Sequence, residues 1–347
     1  MKGTMKGLIK SKPEPGAEYR EDLPIPQIGP DDVLVKVKRT AICGTDIHIY
    51  DWTEYAKQRL KPPMVFGHEF SGEIVEVGSH VQNFKAGDRV AGETHIPCNN
   101  CIQCRTGNQH ICESMKILGV HTPGSFAEYI SVPVDCVWKI DDDIDDNIGA
   151  MLEPMGVAVH GILSGEIGGK SCVIYGCGPI GLMGVGAASA CGASPIFAID
   201  IFDDKLDIAK KMGATTVINA KKEDVHQIIM KATHGRGVDV VVDFTGVASA
   251  IQEGFKLLKK GGRFTFVGLP SGSVPLDLSE AIIYKEAKVN GITGRLMYET
   301  WYQCTEMLKS KRIDITPVIG GIYPLSEFNR AFEDLKNGCP GKMIFIP

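Results

Sequence analysis

Three groups of residues in this chain have the types and spacing to do chemistry. The first is a set of metal-ligand types drawn from separate segments. Cys43 opens the run Cys-Gly-Thr-Asp-Ile-His, and Gly67-His68-Glu69 begins 24 residues later. Glu153 opens a further run, Glu-Pro-Met-Gly. Cysteine, histidine and carboxylate are all good zinc ligands. Scattered ligands, with one position left for water or substrate, suit a catalytic ion. Such an ion is a Lewis acid that lowers the pKa of an alcohol oxygen, as it does that of bound water. The released proton needs a way out, and Thr45 and His48 offer a hydroxyl and an imidazole as a relay. Each residue also has a plainer reading. A single cysteine is commonly buried filler. His68 could be a core histidine and Glu69 a surface charge, with Thr45 in an ordinary turn and His48 on an exposed helix face.

The second group is Cys98, Cys101, Cys104 and Cys112, spaced C-x2-C-x2-C-x7-C. Four thiolates this close can complete a tetrahedral shell around zinc, which leaves no position for substrate. The expected site is therefore structural. An iron–sulfur cluster is one rival, although the proline-flanked ferredoxin run is absent. Disulfides or free thiols are the other.

The third group is Gly176-Cys177-Gly178-Pro179-Ile180-Gly181, a G-x-G-x-x-G pattern. It directly follows the apolar run Ser-Cys-Val-Ile-Tyr and opens a helix-like segment, with Asp200 19 residues after Gly181. That context marks a dinucleotide site. Gly176 permits the tight turn, Gly178 lets backbone approach the pyrophosphate, and Gly181 lets helix and strand pack closely. The helix N-terminus offers amide donors to the phosphates. Asp200 would accept from the ribose hydroxyls and repel a 2′-phosphate, which favours NAD over NADP. A glycine-rich turn that binds nothing is the plain alternative.

Two textures of sequence position these groups. Up to about residue 150 the chain reads as β-rich, with segments such as DVLVKVKRTAI and FSGEIVEVG bounded by Gly, Pro and Asp. This suits a small barrel-like domain. Beyond Glu153, apolar strands (SCVIYG, IFAID, TTVINA, VDVVVDFTG, RFTFVGL) alternate with helices, including one read over SAIQEGFKLLKKGG. That alternation predicts a parallel sheet covered on both faces. Two helices and the strand KMIFIP close the chain.

With 347 residues, the chain is long enough for two domains. Its formal net charge of −5 gives no electrostatic reason to expect nucleic acid or an anionic membrane as partner. No apolar run approaches the ~18 residues that span a bilayer, and the polar N-terminus lacks a signal-peptide core. The expectation is a cytoplasmic protein. Its 11 cysteines then point to metal binding more than to disulfides.

In this order, the Cys43–His48 run, GHEFSGEIVEVG, the Gly-Asp-Arg-Val turn, the four-cysteine lobe and Gly176–Gly181 resemble the zinc-containing medium-chain dehydrogenase family. The resemblance spans essentially the whole chain. It implies an α/β protein: a GroES-like β-rich catalytic domain over 1–152, and a Rossmann domain with a doubly wound parallel sheet over 153–295. Residues 296–347 would complete the catalytic domain. It implies two zinc ions per chain, one structural and one catalytic. The catalytic ion would sit at Cys43, His68 and Glu69, with Glu153 near enough to exchange as a ligand or aid proton transfer. It implies NAD contacts at Ile180, Asp200 and Lys205, then at Val267, Gly268, Leu269, Gly291 and Ile292. It also suggests a homotetramer.

Gly291–Arg295 followed by Met297-Tyr298-Glu299-Thr300-Trp301-Tyr302 is similar to the branch of that family that oxidises the 3-hydroxyl of L-threonine to 2-amino-3-oxobutanoate. Lys205 departs from that branch, which often has Arg there; a point charge remains but planar stacking is lost. An amino-acid substrate needs an acceptor for its ammonium and a cation for its carboxylate, for which Glu153 and Arg295 are candidates. The alternatives are a polyol (sorbitol) or 2,3-butanediol dehydrogenase, and a non-catalytic nucleotide-binding protein. The last would be expected to lack Cys43, His68 or Asp200, all of which are present. Glu299–Tyr302 could also simply begin a packed helix.

Overall fold

A computed structural model describes residues 2–347, which form two compact units. Residues up to Glu153, with Leu296–Trp301 and Ile319–Pro347, make the first; Pro154–Arg295 and Tyr302–Val318 make the second.

The first unit is built around the strand Asp32–Ala41. Its side chains alternate between two apolar clusters: Val33, Val35 and Val37 pack with Phe70 and Ile74, whereas Leu34 packs with Phe66, Phe126 and Phe345. This is the two-residue period of a strand buried on both faces. The strand pairs antiparallel with Glu69–Val77, Tyr129–Pro133 and Lys342–Ile346 within a seven-stranded sheet. The C-terminal strand thus belongs to the sheet that carries Cys43 and His68.

The second unit contains a six-stranded, all-parallel sheet. Its strands in chain order are Cys172–Tyr175, Ile196–Asp200, Thr216–Asn219, Val238–Asp243, Leu258–Phe266 and Lys288–Gly291. Their spatial order is 3-2-1-4-5-6, the doubly wound arrangement with its switch point beside the first strand. Cys172–Tyr175 is buried along its full length, which is why it reads as a continuous apolar run.

Three details differ from the reading of the sequence. The helix expected over SAIQEGFKLLKKGG ends at Leu257, and Leu258–Phe266 is strand. Gly261 has φ +71°, a conformation that a helix cannot use. The helix Leu152–Leu163 was not anticipated, because Pro154 and Gly156 look like breakers; proline is tolerated in a first turn, where its missing N–H is not needed. Finally, Tyr302–Val318 packs with the second unit rather than with the rest of the C-terminal segment. Gly186 explains this contact: a Cβ there would lie 2.7 Å from Ile313 Cδ1, so the bare helix surface admits that side chain.

Candidate catalytic and cofactor sites

Strand register gathers the first candidate site. Ala41 lies opposite Glu69 on one neighbouring strand and opposite Ile344 on another. Two residues further along, Cys43 therefore meets His68 and Glu69 on one side and Lys342 on the other. One potential ligand atom each from Cys43, His68 and Glu69 lies within 4.8 Å of the others.

Cys43 is also the N-cap of the helix Gly44–Tyr50. The Asp46 carboxylate accepts from the Cys43 N–H at 2.8 Å, and the Cys43 side chain accepts from the Asp46 amide. The Cys-Gly-Thr-Asp run is thus a capping box with a thiol in place of the usual hydroxyl. The second carboxylate oxygen of Asp46 stands 3.9 Å from His68 Nδ1. Lys342 Nζ donates to Glu69 Oε1 at 2.7 Å and to the Ile42 carbonyl at 3.0 Å. Asp46 and Lys342 were not singled out in the sequence. The capping spacing could have found Asp46. For Lys342 the available signal was a charge at a buried position of an otherwise apolar strand.

The electrostatics of this pocket call for a cation. Burial works to lower the His68 pKa, but Cys43, Asp46 and Glu153 outweigh it and hold the ring up at about 10. Burial pushes Glu69 up to about 7, against the pull of Lys342. His68 Nδ1, Glu69 Oε2 and Asp46 Oδ1 are buried without a hydrogen-bond partner. Buried polar atoms of this kind are costly unless something else satisfies them. The donor set, one sulfur, one nitrogen and one oxygen, fits zinc with a further position open. Glu153, in the first turn of Leu152–Leu163, is buried and close enough to act on both His68 and Glu69 by charge, but it falls outside the three-atom cluster. Thr45 is half-buried and His48 exposed, both on the helix that Cys43 caps.

The four cysteines form a second cluster, with their sulfurs all within 4.8 Å of one another. Sulfurs bound to one zinc at ~2.3 Å would stand about 3.8 Å apart at tetrahedral angles. The Cys101 sulfur lies 3.5 Å from that of Cys104 and 3.9 Å from that of Cys112. Backbone amides donate to the sulfurs: Cys101 N–H to Cys98 at 3.3 Å, and Cys98 N–H and Ser114 N–H to Cys112 at 3.2 and 3.3 Å. Backbone hydrogen bonds draw the Cys101 thiol down to about 6, while burial pushes Cys104 up to about 12. No two cysteines are joined by a disulfide among the described residues. The arrangement fits a structural zinc and not a disulfide framework.

In the second unit, the glycine turn has the backbone geometry of a tight strand-to-helix turn. Gly176 has φ +90°. A Cβ on Gly181 would collide with the Gly176 carbonyl, so that glycine is what lets the helix Pro179–Ala190 sit on the strand. A Cβ on Gly178 would meet nothing within 4 Å, which leaves open space where a pyrophosphate needs close backbone. Asp200 accepts from the Cys177 N–H at 2.7 Å and from the Ile201 and Phe202 N–H groups at 2.7 and 3.1 Å. Its carboxylate is therefore fixed before any ribose arrives, and it also ties the glycine turn to the next strand. Gly176, Asp200, Phe202, Lys205 and Thr245 line a groove of about 610 Å³. Lys205 Nζ stands 4.7 Å from the centre of the Phe202 ring.

The remaining expected cofactor residues are placed as follows. Ile180, Val267 and Ile292 are half-buried and Leu269 is 90% exposed. Gly268 is needed for packing, since a Cβ there would strike the Gly246 amide. A Cβ on Gly291 would meet open space. Arg295 is fully buried, its Cδ 2.8 Å from where a Cβ on Gly156 would be. Within Glu299–Tyr302, Trp301 is buried and its indole donates to Glu93 Oε2 at 2.7 Å, Thr300 is buried, and Tyr302 is 61% exposed. Glu93 Oε1 lies 3.0 Å from His95 Nδ1. Trp301 and Thr300 are thus structural members of that motif.

Comparison with other proteins agrees with this geometry. Residues 29–142 match the profile of the alcohol dehydrogenase GroES-like domain, and residues 179–310 that of zinc-binding dehydrogenase. The chain is 48% identical to an L-threonine 3-dehydrogenase from Caldanaerobacter subterraneus over the full length of both. Among solved structures, 2R,3R-butanediol dehydrogenase from Bacillus subtilis superposes with a TM-score of 0.89 at 28% identity, covering 99% of each chain. A chain described as a zinc-binding dehydrogenase from Sinorhizobium meliloti, solved with NADP, gives 0.91 at 29% identity over 99% of each.

Proposed function

The chain belongs to the zinc-containing medium-chain dehydrogenase family, and from that premise we propose that it oxidises the 3-hydroxyl of L-threonine to 2-amino-3-oxobutanoate. The observation that carries the reading is the convergence of Cys43, His68 and Glu69 in a chain similar over its full length to an L-threonine 3-dehydrogenase. Its cofactors are zinc and NAD: bound at these sites, zinc would supply Lewis acidity at the alcohol oxygen and NAD a hydride acceptor.

The chain's own residues do the rest. Cys43, His68 and Glu69 hold the catalytic ion, and Cys98, Cys101, Cys104 and Cys112 the structural one. Asp46 orients the His68 ring and Lys342 anchors Glu69, the kind of supporting contact that fixes a ligand set. Thr45 takes the proton from the alcohol and His48 passes it to water, which its exposure allows. Glu153 is the acceptor for the substrate ammonium. Gly176, Gly178, Ile180 and Gly181 cradle the pyrophosphate, and Asp200 with Lys205 holds the adenosine ribose. Val267, Gly268, Leu269, Gly291 and Ile292 line the rest of the cofactor path. No helix among the described residues is long and apolar enough to cross a membrane. Cysteines free of disulfides support a reducing, cytoplasmic setting. We further infer self-association into a homotetramer, supported by the edge strand Lys288–Gly291, on which Val289 is exposed, and by the exposed Ile283 and Tyr284 that precede it in the chain.

A site with charged partners for an amino acid discriminates against neutral polyols by up to roughly 10⁴-fold. Catalytic efficiency should therefore be far higher with L-threonine than with sorbitol or 2,3-butanediol. A ratio in favour of either polyol would transfer the assignment to the polyol branch.

A further inference from the structure

We propose that His226 reads the adenine edge of NAD, accepting a hydrogen bond from the 6-amino group through an imidazole whose tautomer Glu253 fixes; this rests on the reading of the glycine turn and Asp200 as the NAD site. The groove that Asp200 lines is also lined by His226 and Glu253, together with Ile201, Val225 and Val247. His226 lies in the first turn of the helix Val225–Ala232, and Glu253 on the helix Ala248–Leu257. Their side chains bridge the two helices, with His226 Nδ1 2.9 Å from Glu253 Oε1. The other carboxylate oxygen, Oε2, lies 3.4 Å from Lys256 Nζ. Glu253 thus has a neighbour on each oxygen, whereas the His226 ring is exposed and has only Nδ1 engaged. Ile201 and Val247 are exposed apolar side chains on the same groove.

The chemistry of the groove assigns the parts of the dinucleotide. The glycine turn takes the pyrophosphate and Asp200 the ribose hydroxyls, so the base is the part that enters the groove beyond Asp200. A purine is flat and apolar on its faces, and exposed apolar side chains suit those faces. Its edge needs polar partners. An ionised carboxylate only accepts, so the proton between His226 and Glu253 sits on Nδ1. A neutral imidazole with its proton there has Nε2 left as an acceptor. Adenine presents a donor at this edge, its 6-amino group. Hypoxanthine carries an oxygen at the same position, and two acceptors facing each other form no bond. The pair is therefore a filter for a 6-aminopurine. If the bridge serves only to join two helices, an amino group and an oxygen at position 6 are bound alike.

The test is direct binding to the full-length, zinc-loaded enzyme without threonine. NAD and its 6-oxo analogue, nicotinamide hypoxanthine dinucleotide, are titrated calorimetrically at about pH 8, where an ordinary imidazole is neutral. Wild type should bind NAD about tenfold more tightly than the analogue, the scale of one hydrogen bond. His226→Phe keeps a ring on the helix and removes the acceptor. Its Kd for NAD should rise about tenfold while that for the analogue stays within about twofold, so that the preference disappears. Glu253→Gln can donate to Nδ1 and release the other tautomer, and should lose part of the preference. The proposal is overturned if wild type binds the two dinucleotides equally, if His226→Phe keeps the preference or weakens both alike, or if Glu253→Gln keeps it in full. A wild-type enzyme that binds neither dinucleotide would remove the NAD reading and the proposal together. Tight binding of both without preference would remove the proposal alone.

Discussion

Lys342 and Glu69 form an ion pair from which water is excluded, and its value lies in the charge each cancels. Lys342 has 4% of its surface exposed and Glu69 none. Burial would lower the lysine pKa, but Glu69 and Cys43 hold it above its ordinary value. Removing one partner of such a pair costs ~3–5 kcal/mol, because the other charge is left uncompensated. Lys342→Met should therefore lower the melting temperature of the zinc-loaded enzyme by several degrees and loosen its catalytic zinc. Lys342→Arg should recover part of both. An unchanged melting curve and zinc affinity for Lys342→Met would mean that Glu69 is compensated by something else. At this scale the ligand types Cys43, His68 and Glu69 could be read from the sequence, because residue type and spacing carry coordination chemistry. Their support could not, since Lys342 reaches the site only through pairing between strands hundreds of positions apart in the chain.

At the scale of elements, the Met297–Trp301 run is tied into the first unit by packing and hydrogen bonds. Trp301 stacks on Trp138, ring centres 6.3 Å apart, and hydrogen-bonds to buried Glu93. Glu93 in turn accepts from the His95 amide at 2.8 Å. The residue before the helix Glu299–Lys309, Tyr298, has φ +73° and donates from its hydroxyl to the Asp135 carbonyl at 3.3 Å. Trp301→Phe keeps an aromatic ring but gives up indole volume in a buried position and removes the indole donor to Glu93, at a cost of about 1–3 kcal/mol or more. Its stability to urea should fall by that amount. A variant as stable as wild type would show that water replaces the indole. Strands of the second unit such as Cys172–Tyr175, Ile196–Asp200 and Val238–Asp243 were legible because they are almost wholly buried and read as short apolar runs, whereas the edge strand Lys288–Gly291 is mostly exposed and offered no such run. The end of the helix at Leu257 was less so, because Lys-Lys-Gly-Gly reads equally as a fraying helix and as a strand entry. The helix Leu152–Leu163 was hidden by its own proline and glycine.

Across the whole molecule, two metal sites of different character should respond differently to a chelator. The four-thiolate cluster would form a closed shell, so a metal there would be held by folding itself. The proposed Cys43 site would have fewer protein ligands and a position open for substrate. Activity should therefore be lost first, with one zinc per chain removed and the far-ultraviolet circular dichroism unchanged; loss of the second zinc should accompany unfolding of the lobe. Simultaneous loss of both ions would argue against this difference. The proposed reaction passes hydride directly from C3 of L-threonine to the nicotinamide ring. L-Threonine deuterated at C3, incubated with NAD and the zinc-loaded enzyme, tests it most directly. The NADH formed should carry one deuterium at C4 of the nicotinamide and appear one-for-one with 2-amino-3-oxobutanoate. Unlabelled NADH, or no NADH from threonine while sorbitol or 2,3-butanediol reduces NAD, would contradict it.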